Sequence, residues 1–220
     1  MTDQYFAATP SSRDVRRELT VTLRGHECAV EVSNGVFSGS RLDLGTSVLL
    51  RRAPETPELG RFLDLGCGWG PVALSMAFES PEAEVWAVDV NERAVELTAA
   101  NARRNGCANV HVALTDETGA PLAEQPSSEA LPCEQPDADA TFDLIWSNPP
   151  IRVGKETLHT LLMTWLPRLT PGTGAAYLVV QKNLGADSLI PWLTEQLGKE
   201  YEVGKYASSK GFRIIEVLHE

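Results

Sequence analysis

Two short alternating runs open the patterned part of the chain. Leu19, Val21 and Leu23 alternate with Thr20, Thr22 and Arg24; after a turn at Gly25-His26, Cys28, Val30 and Val32 alternate with Glu27, Ala29 and Glu31. Period-two runs joined by a short glycine turn predict a β-hairpin with one buried face, an accessory to the main domain. From Arg61 onward the pattern changes. Apolar runs at Phe62–Leu65, Glu84–Val88, Asn109–Leu114, Thr141–Trp146 and Ala175–Val180 alternate with stripes at helical spacing, such as Val72, Ala73, Met76 and Ala77, then Ala94, Val95, Leu97 and Thr98. Leu158, Leu161, Leu162, Trp165 and Leu169 form a further stripe, and Ser188–Leu197 another helix. Strands apolar on both faces, alternating with helices, predict a parallel sheet covered on both sides. Two final strands straddle Ser208-Ser209-Lys210-Gly211, a connection too short for anything but antiparallel pairing. The expectation is an α/β, doubly wound, seven-stranded, mostly parallel sheet with an antiparallel terminal hairpin and an N-terminal β-hairpin extension. It forms a single domain over 1–220, with arm and hairpin in 1–58 and the core in 59–220.

Some stretches depart from this pattern. Residues 1–17 are polar, with Arg13, Arg16 and Arg17 clustered, and predict a solvated arm, the sharper alternative being an arm that contacts phosphate. Leu42-Asp43-Leu44-Gly45 repeats Leu63-Asp64-Leu65-Gly66 letter for letter, but no Gly-x-Gly follows, so it predicts a loop leading into a short helix. Segment 117–140 contains Pro121, Pro126, Pro132 and Pro136 and has no periodicity. A loop of that length is a lid or disordered, and its composition favours a disordered acidic loop.

Charge and cysteine usage narrow the classes. A net charge of −11 argues against a nucleic-acid partner, yet eight acidic residues and no Lys or Arg lie between Asp116 and Asp143. Most of the excess is therefore local, and a basic face elsewhere is compatible with it. Cys28, Cys67, Cys107 and Cys133 are far apart, without paired ligand spacing, which argues against zinc and against a disulfide framework. No apolar run approaches the roughly 20 residues of a membrane span. The first residues have neither the basic start nor the apolar core of a signal peptide, so the expected location is cytoplasmic, with no membrane partner.

The chemistry collects at strand ends, where open α/β sheets bind ligands. Four carry useful groups: Gly66, Gly68 and Gly70; Asp89; Asp116; and Asn148-Pro149-Pro150. The three glycines allow positive φ and close backbone approach, and Pro71 suits a first helical position. A dinucleotide fingerprint would require glycine at position 71, where proline stands, so a pyrophosphate ligand is disfavoured. Asp89 follows Gly66 by 23 residues and can accept hydrogen bonds from both hydroxyls of a ribose. Together these features fit an adenosine ligand without a pyrophosphate. None of His26, His111, His159 or His219 occupies a position that suggests catalysis.

At these residues the sequence resembles a known family. Asp64-Leu65-Gly66-Cys67-Gly68-Trp69-Gly70 is similar to the first motif of class I S-adenosylmethionine methyltransferases, a Rossmann-like fold, and Asp89 to their ribose-binding acid. The likeness extends to the methyltransferase small domain family, which contains small-subunit ribosomal RNA guanine-N2 methyltransferases. It is carried by Asn34–Ser38, Leu42–Thr46, Val88–Ala94 and Phe142–Lys155, and runs from Tyr5 to the end apart from 117–140. The resemblance implies S-adenosylmethionine as cofactor, with Gly66, Gly68 and Gly70 at its methionine part, Asp89 at the ribose and Asp116 at the adenine amino group. Asp64 is implied either to contact the cofactor or to shape the turn. Asn148 and the carbonyl of Pro149, stiffened by Pro150, would accept hydrogen bonds from the amine being methylated. Arg152 and Lys155 would either hold RNA phosphates or form a solvated rim. Ile151 stands where many members carry an aromatic residue that stacks on the flipped base and offers only apolar contact; Phe37 and Trp69 are each either a replacement stacking surface or packed in the core. The implied reaction is N-methylation of an exocyclic amine, guanine N2 of small-subunit ribosomal RNA, with ribosomal RNA or the small subunit as partner and no metal. The alternatives are a protein glutamine N5-methyltransferase and a non-catalytic cofactor-binding assembly factor.

Overall fold

The computed structural model describes residues 13–38, 41–123, 127–128 and 131–220. In chain order, β1 (Arg16–Leu23) and β2 (His26–Ser33) precede α1 (Leu44–Arg52). Next come β3 (Arg61–Leu65), α2 (Pro71–Glu79), β4 (Glu84–Asp89), α3 (Glu92–Arg104) and β5 (Val110–Leu114). Two-residue strands β6 (Ser127–Ser128) and β7 (Leu131–Pro132) interrupt the acidic segment. The chain ends with β8 (Leu144–Ser147), α4 (Lys155–Trp165), β9 (Ala175–Gln181), α5 (Ala186–Leu197), β10 (Tyr201–Ser209) and β11 (Phe212–His219). The main sheet has the order β10-β11-β9-β8-β3-β4-β5. The five strands from β9 to β5 are parallel, and β11 runs antiparallel to both β9 and β10. The seven-stranded doubly wound architecture is as the periodicity predicts.

The hairpin is more than an accessory. Its turn residues Arg24 and Gly25 both take positive φ, 45° and 92°, the pairing that matches strand twist. Leu23, Cys28, Val30 and Val32 are fully buried in the same apolar cluster as Trp69, Met76, Leu97 and Trp146. Asn101 of α3 reinforces the attachment: its Oδ1 accepts from Glu31 N at 2.6 Å, and its Nδ2 donates to Glu31 O and Trp69 O. Arg24 reaches under α1, donating to Leu50 O (2.7 Å), Ala53 O (3.2 Å) and Pro54 O (3.1 Å), and pairs with Glu79 of α2. These carbonyls sit at or just past the C-terminal end of α1, where a cation is favourable.

Element ends differ from the sequence pattern where local chemistry intervenes. The stripe through Leu169 is split, because α4 stops at Trp165 and Pro167 lies in a 3-10 turn over Leu166–Arg168. β8 begins only at Leu144; Phe142 has already turned aside to bridge Leu169. α5 starts two residues early, after Gly185 in the left-handed region. The described parts of segment 117–140 are pinned rather than loose. Asp116 N donates to Ala120 O, Leu122 N to Leu114 O and Glu134 N to Val112 O, while Arg168 holds Ala140 O and Asp137 O. The arm's phosphate-contacting alternative also meets a competitor: Arg16 is ion-paired with Asp14 at 2.9 Å and Glu96 at 2.8 Å. Residues 1–12 of that arm lie outside the described residues. No described helix is long and apolar enough to cross a membrane.

Candidate active site

The carboxyl ends of β3, β4, β5 and β8 open into a cavity of about 910 Å³, a size suited to a nucleoside-sized ligand. Gly66 and Gly68 line it with φ of 81° and 59°. A Cβ on Gly66 would meet nothing within 4 Å, and one on Gly68 would approach only Phe37 O at 3.9 Å. The backbone here is bare and faces open space. Gly66 N and Cys67 N both donate to Val88 O, which ties the turn to the end of β4.

Gly70 does otherwise than the motif implied, and Asp64 takes the second of its two implied roles, shaping the turn. Neither lines the cavity. Gly70, at φ 91°, precedes the first residue of α2, and a Cβ there would press on Thr98 at 3.0–3.3 Å. It serves the turn and the approach of α2 to α3. Asp64 is buried in β3, and its Oδ2 accepts the N–H of Ala73 at 2.9 Å. Since Gly70 has no side chain to cap α2, Asp64 satisfies that donor from the neighbouring strand. Burial, with the negative Asp89 nearby as a lesser cause, pushes its carboxyl from 3.8 to about 8 despite that hydrogen bond.

Asp89 does face the cavity. Its Oδ2 accepts from Gly68 N at 3.0 Å and its Oδ1 from Asn91 N at 2.9 Å. Burial raises its pKa to about 6, opposed by the N–H groups of Asn91, Gly68 and Val90. Asp116 also lines the cavity, but its Oδ1 is engaged by Thr118 N, the Thr118 hydroxyl and Ala120 N. The bond from the Thr118 hydroxyl is the main cause of its lowered pKa. The turn that Asp116 organises is itself a cavity wall. Thr118 and Gly119 line the cavity, Trp165 Nε1 donates to Gly119 O at 2.8 Å, and Thr164 donates to Thr118 O.

Asn148, Pro149, Pro150 and Ile151 form the opposite lip. Ser147 anchors the end of β8 by donating to Leu65 O at 2.7 Å. Pro150 has φ −75° and ψ 72°, and Ile151 N donates to Pro149 O at 2.8 Å. That is an inverse γ-turn, for which proline's fixed φ is pre-set. It orients the Pro149 carbonyl and uses one of its two acceptor positions, leaving the other. Asn148 Nδ2 donates to Asp43 Oδ2 and to Thr46 Oγ1, each at 3.0 Å.

Of the two aromatic candidates, Phe37 lines the cavity and is 42% exposed, whereas Trp69 is 1% exposed in the core. Trp69 therefore drops out as a stacking surface. The Phe37 loop is stitched to the start of α3 through Asn91 Nδ2 to Gly35 O and Arg93 to Asn34 O. Lys155 is exposed at the start of α4, outside the cavity lining, and the side chain of Arg152 is not among those described. Sequence reasoning missed Asp43, Thr46 and Phe212, which meet at this lip. The signal for two of them was Leu42–Thr46, which carries part of the family resemblance without disclosing a role. All four histidines stack on other rings, His26 on Phe78, His111 on Trp86, His159 on Trp192 and His219 on Tyr201.

The charge of the lining is one-sided. Asp43, Asp89, Asp116, Glu117 and Glu156 contribute carboxylates, and no described lining residue is Lys, Arg or His. Such a surface favours a cationic ligand and disfavours a pyrophosphate.

Comparison with known proteins fits this arrangement. The family "Methyltransferase small domain" matches residues 27–127 and 129–216. The chain is 32% identical to the Bacillus subtilis (strain 168) protein YbxB over 216 residues, 98% of each chain. It is 35% identical over 185 residues to "Ribosomal RNA small subunit methyltransferase C" of Acinetobacter baylyi, covering 82% of this chain and 48% of that one. It is 30% identical to "Ribosomal RNA large subunit methyltransferase G" of Pseudomonas savastanoi pv. phaseolicola, covering 81% and 45%. The chain thus spans nearly all of the first relative and about half the length of the other two. Among solved structures, the T. thermophilus 16S rRNA N2 methyltransferase (RsmC) in complex with AdoMet and guanosine superposes with a TM-score of 0.67 at 22% identity, over 96% of this chain and 52% of that one. That likeness concerns the fold; the family match and the full-length relative go further, and by them this chain belongs to the methyltransferase small domain family.

Proposed function

We propose that this protein transfers a methyl group from S-adenosylmethionine to an exocyclic amine, guanine N2 of small-subunit ribosomal RNA. The observation that carries the reading is the facing of two sets of groups across one cavity. The bare glycine turn and Asp89 lie on one side, and the Asn148 amide with the Pro149 carbonyl on the other. The residues fit the cofactor: a Cβ at Gly66 would fill the cradle, Asp89 is an acceptor for ribose hydroxyls, and the carboxylate lining suits a sulfonium. When bound, S-adenosylmethionine supplies an electrophilic methyl group. Gly66 and Gly68 would hold its methionine part, Asp89 its ribose, and the Asp116–Gly119 turn the adenine. Phe37 and Phe212 offer aromatic walls for a base at the Asn148 lip.

An exocyclic amine is a poor nucleophile because its lone pair is delocalised into the ring. Two acceptors on its hydrogens turn the lone pair towards the methyl group and stabilise the positive charge that grows on nitrogen. Alignment supplies much of the rate without a strong base. Relatives named for the small and the large subunit both match; the guanine amine suits the two-acceptor lip in either.

The test is transfer of radiolabelled methyl from S-adenosylmethionine to isolated ribosomal subunits, followed by mapping of the labelled nucleotide. Label at a guanine N2 of small-subunit RNA is expected. Label confined to large-subunit RNA or to protein would overturn the substrate assignment. Asn148→Ala should lower turnover by about 10²-fold or more, the scale of one lost polar partner in a transition state, with cofactor affinity within a few-fold by calorimetry.

A further inference from the structure

We infer that Asp43 and Thr46 are positioning residues that lock the Asn148 amide in the one orientation presenting its oxygen to the amine. This rests on the assignment of Asn148 to the amine. An asparagine side chain can flip by half a turn at little intrinsic cost, exchanging oxygen for NH₂. Facing an amine, the flipped form would set donor against donor. At Asn148 the flip is blocked chemically. Nδ2 lies 3.0 Å from Asp43 Oδ2, and an ionised carboxylate accepts hydrogen bonds but donates none. Only the NH₂ can sit there. Thr46 Oγ1, also at 3.0 Å, takes the second position on the same nitrogen. Both hydrogens of Asn148 are thus taken up by protein acceptors, and Oδ1 is the atom left for a ligand.

The clamp is rigid for reasons visible in the fold. Asp43 caps α1, its Oδ2 also accepting from Thr46 N at 3.1 Å, so the helix N-terminus stabilises the charge. Val48, Leu49 and Leu50 bury the helix in the core. Arg24 secures its far end through Leu50 O and Ala53 O. Gly45 leaves the clearance: a Cβ there would lie 3.2 Å from Asn148 Oδ1 and 3.1 Å from Phe212 Cε1. A carboxylate on Nδ2 also polarises the amide and strengthens Oδ1 as an acceptor while positive charge develops opposite it.

The experiment compares Asp43→Ser, which keeps a helix cap but is too short to reach Asn148, with Asp43→Asn and Thr46→Val. In ¹⁵N-labelled protein, the Asn148 side-chain NH₂ pair is assigned by its absence from Asn148→Ala. Asp43→Ser should shift that pair towards the position of a free amide and speed its exchange with water. Turnover should fall at least 20-fold while KM for RNA and calorimetric affinity for S-adenosylmethionine stay within threefold. Asp43→Asn, which restores an oxygen at the same reach, should recover at least tenfold of the loss. Thr46→Val reports the second half of the clamp independently if Asp43→Ser fails to fold, with a smaller shift of the NH₂ pair and a several-fold loss of turnover. An NH₂ pair unmoved in these variants, or one that moves with turnover unchanged, overturns the inference. Wild-type protein that labels no RNA, together with an NH₂ pair that shifts as expected, upholds the clamp and removes the RNA reading alone.

Discussion

Leu42-Asp43-Leu44-Gly45 and Leu63-Asp64-Leu65-Gly66 are the same four residues in two different structures. In the first, Asp43 caps a helix and Gly45 is an ordinary helical residue. In the second, the aspartate lies inside a strand and the glycine turns the chain at φ 81°. The aspartates nonetheless perform one chemical act: each accepts an N–H from the first turn of a helix, Thr46 for α1 and Ala73 for α2. Asp43 reaches it three residues on, Asp64 from a neighbouring strand nine residues back. The two glycines also differ in their surroundings. Gly66 faces empty cavity, whereas Gly45 is hemmed in by Asn148, Phe212 and Asp43. Conformation is decided by the next residues in the chain, Thr46-Ser47-Val48 or Cys67-Gly68-Trp69-Gly70, and by the partners the fold brings up.

The sharpest difference is burial, and pH exposes it. Asp64 has its carboxyl pushed from 3.8 to about 8 by desolvation. The folded state therefore binds a proton that the unfolded state releases. The associated stability is fully present below about pH 3.8 and is lost as pH rises to about 8. Asp64→Asn keeps an oxygen for Ala73 N and removes the titration. Urea denaturation at pH 5 and pH 8 should show the variant gaining on the wild type across that window. The gain should reach several kcal/mol, since each tenfold change in proton affinity is worth about 1.4 kcal/mol. Parallel curves would remove the buried-carboxyl account of Asp64.

Truncation comes next. Asp64→Ala should cost about 3 kcal/mol, because it orphans a buried donor and leaves a void. Asp43→Ala should cost about 1 kcal/mol, the worth of a helix cap. Equal losses by chemical denaturation would erase the distinction. The glycines give the clearest separation. Gly66→Ala places a side chain in a left-handed conformation, costs about 1–2 kcal/mol, and should weaken calorimetric binding of S-adenosylmethionine about tenfold, ~1.4 kcal/mol. Gly45→Ala gains helix propensity, about 1 kcal/mol, but sets a Cβ 2.9 Å from Asp43 Oδ2 and 3.1 Å from Phe212 Cε1, so the cap must shift and the net change should be a loss of about 1 kcal/mol. It should leave cofactor affinity unaltered and lower turnover by crowding Asn148 Oδ1.

Much of the fold was legible because apolar periodicity reports directly which face a strand or helix buries. The strands, their parallel order and the antiparallel end can all be read from it. The cavity-facing residues Gly66, Gly68, Asp89 and Asn148 were legible because strand ends collect ligands in this architecture, and Phe37 only through the family resemblance. The misreadings have a common cause. Motif letters do not say which members touch a ligand: Gly70 builds the turn from beneath, and Asp64, for which the letters left two roles open, does the same. Asp43 and Thr46 escaped notice because their partner lies 105 and 102 residues away, and no local pattern encodes such a pairing. Trp69 was a plausible stacking surface until the sheet buried it, and the acidic segment gave no sign that Gly119 would be fastened to Trp165.

The five carboxylates around the cavity bear on turnover. They attract the methyl donor partly through its sulfonium charge, and the reaction removes that charge, because the spent donor is a neutral thioether at sulfur. Reactant and product have nearly the same shape but different electrostatic hold. The cavity therefore loosens its grip on what it has used by the same event that completes the transfer, so fresh donor competes favourably with spent donor for the site.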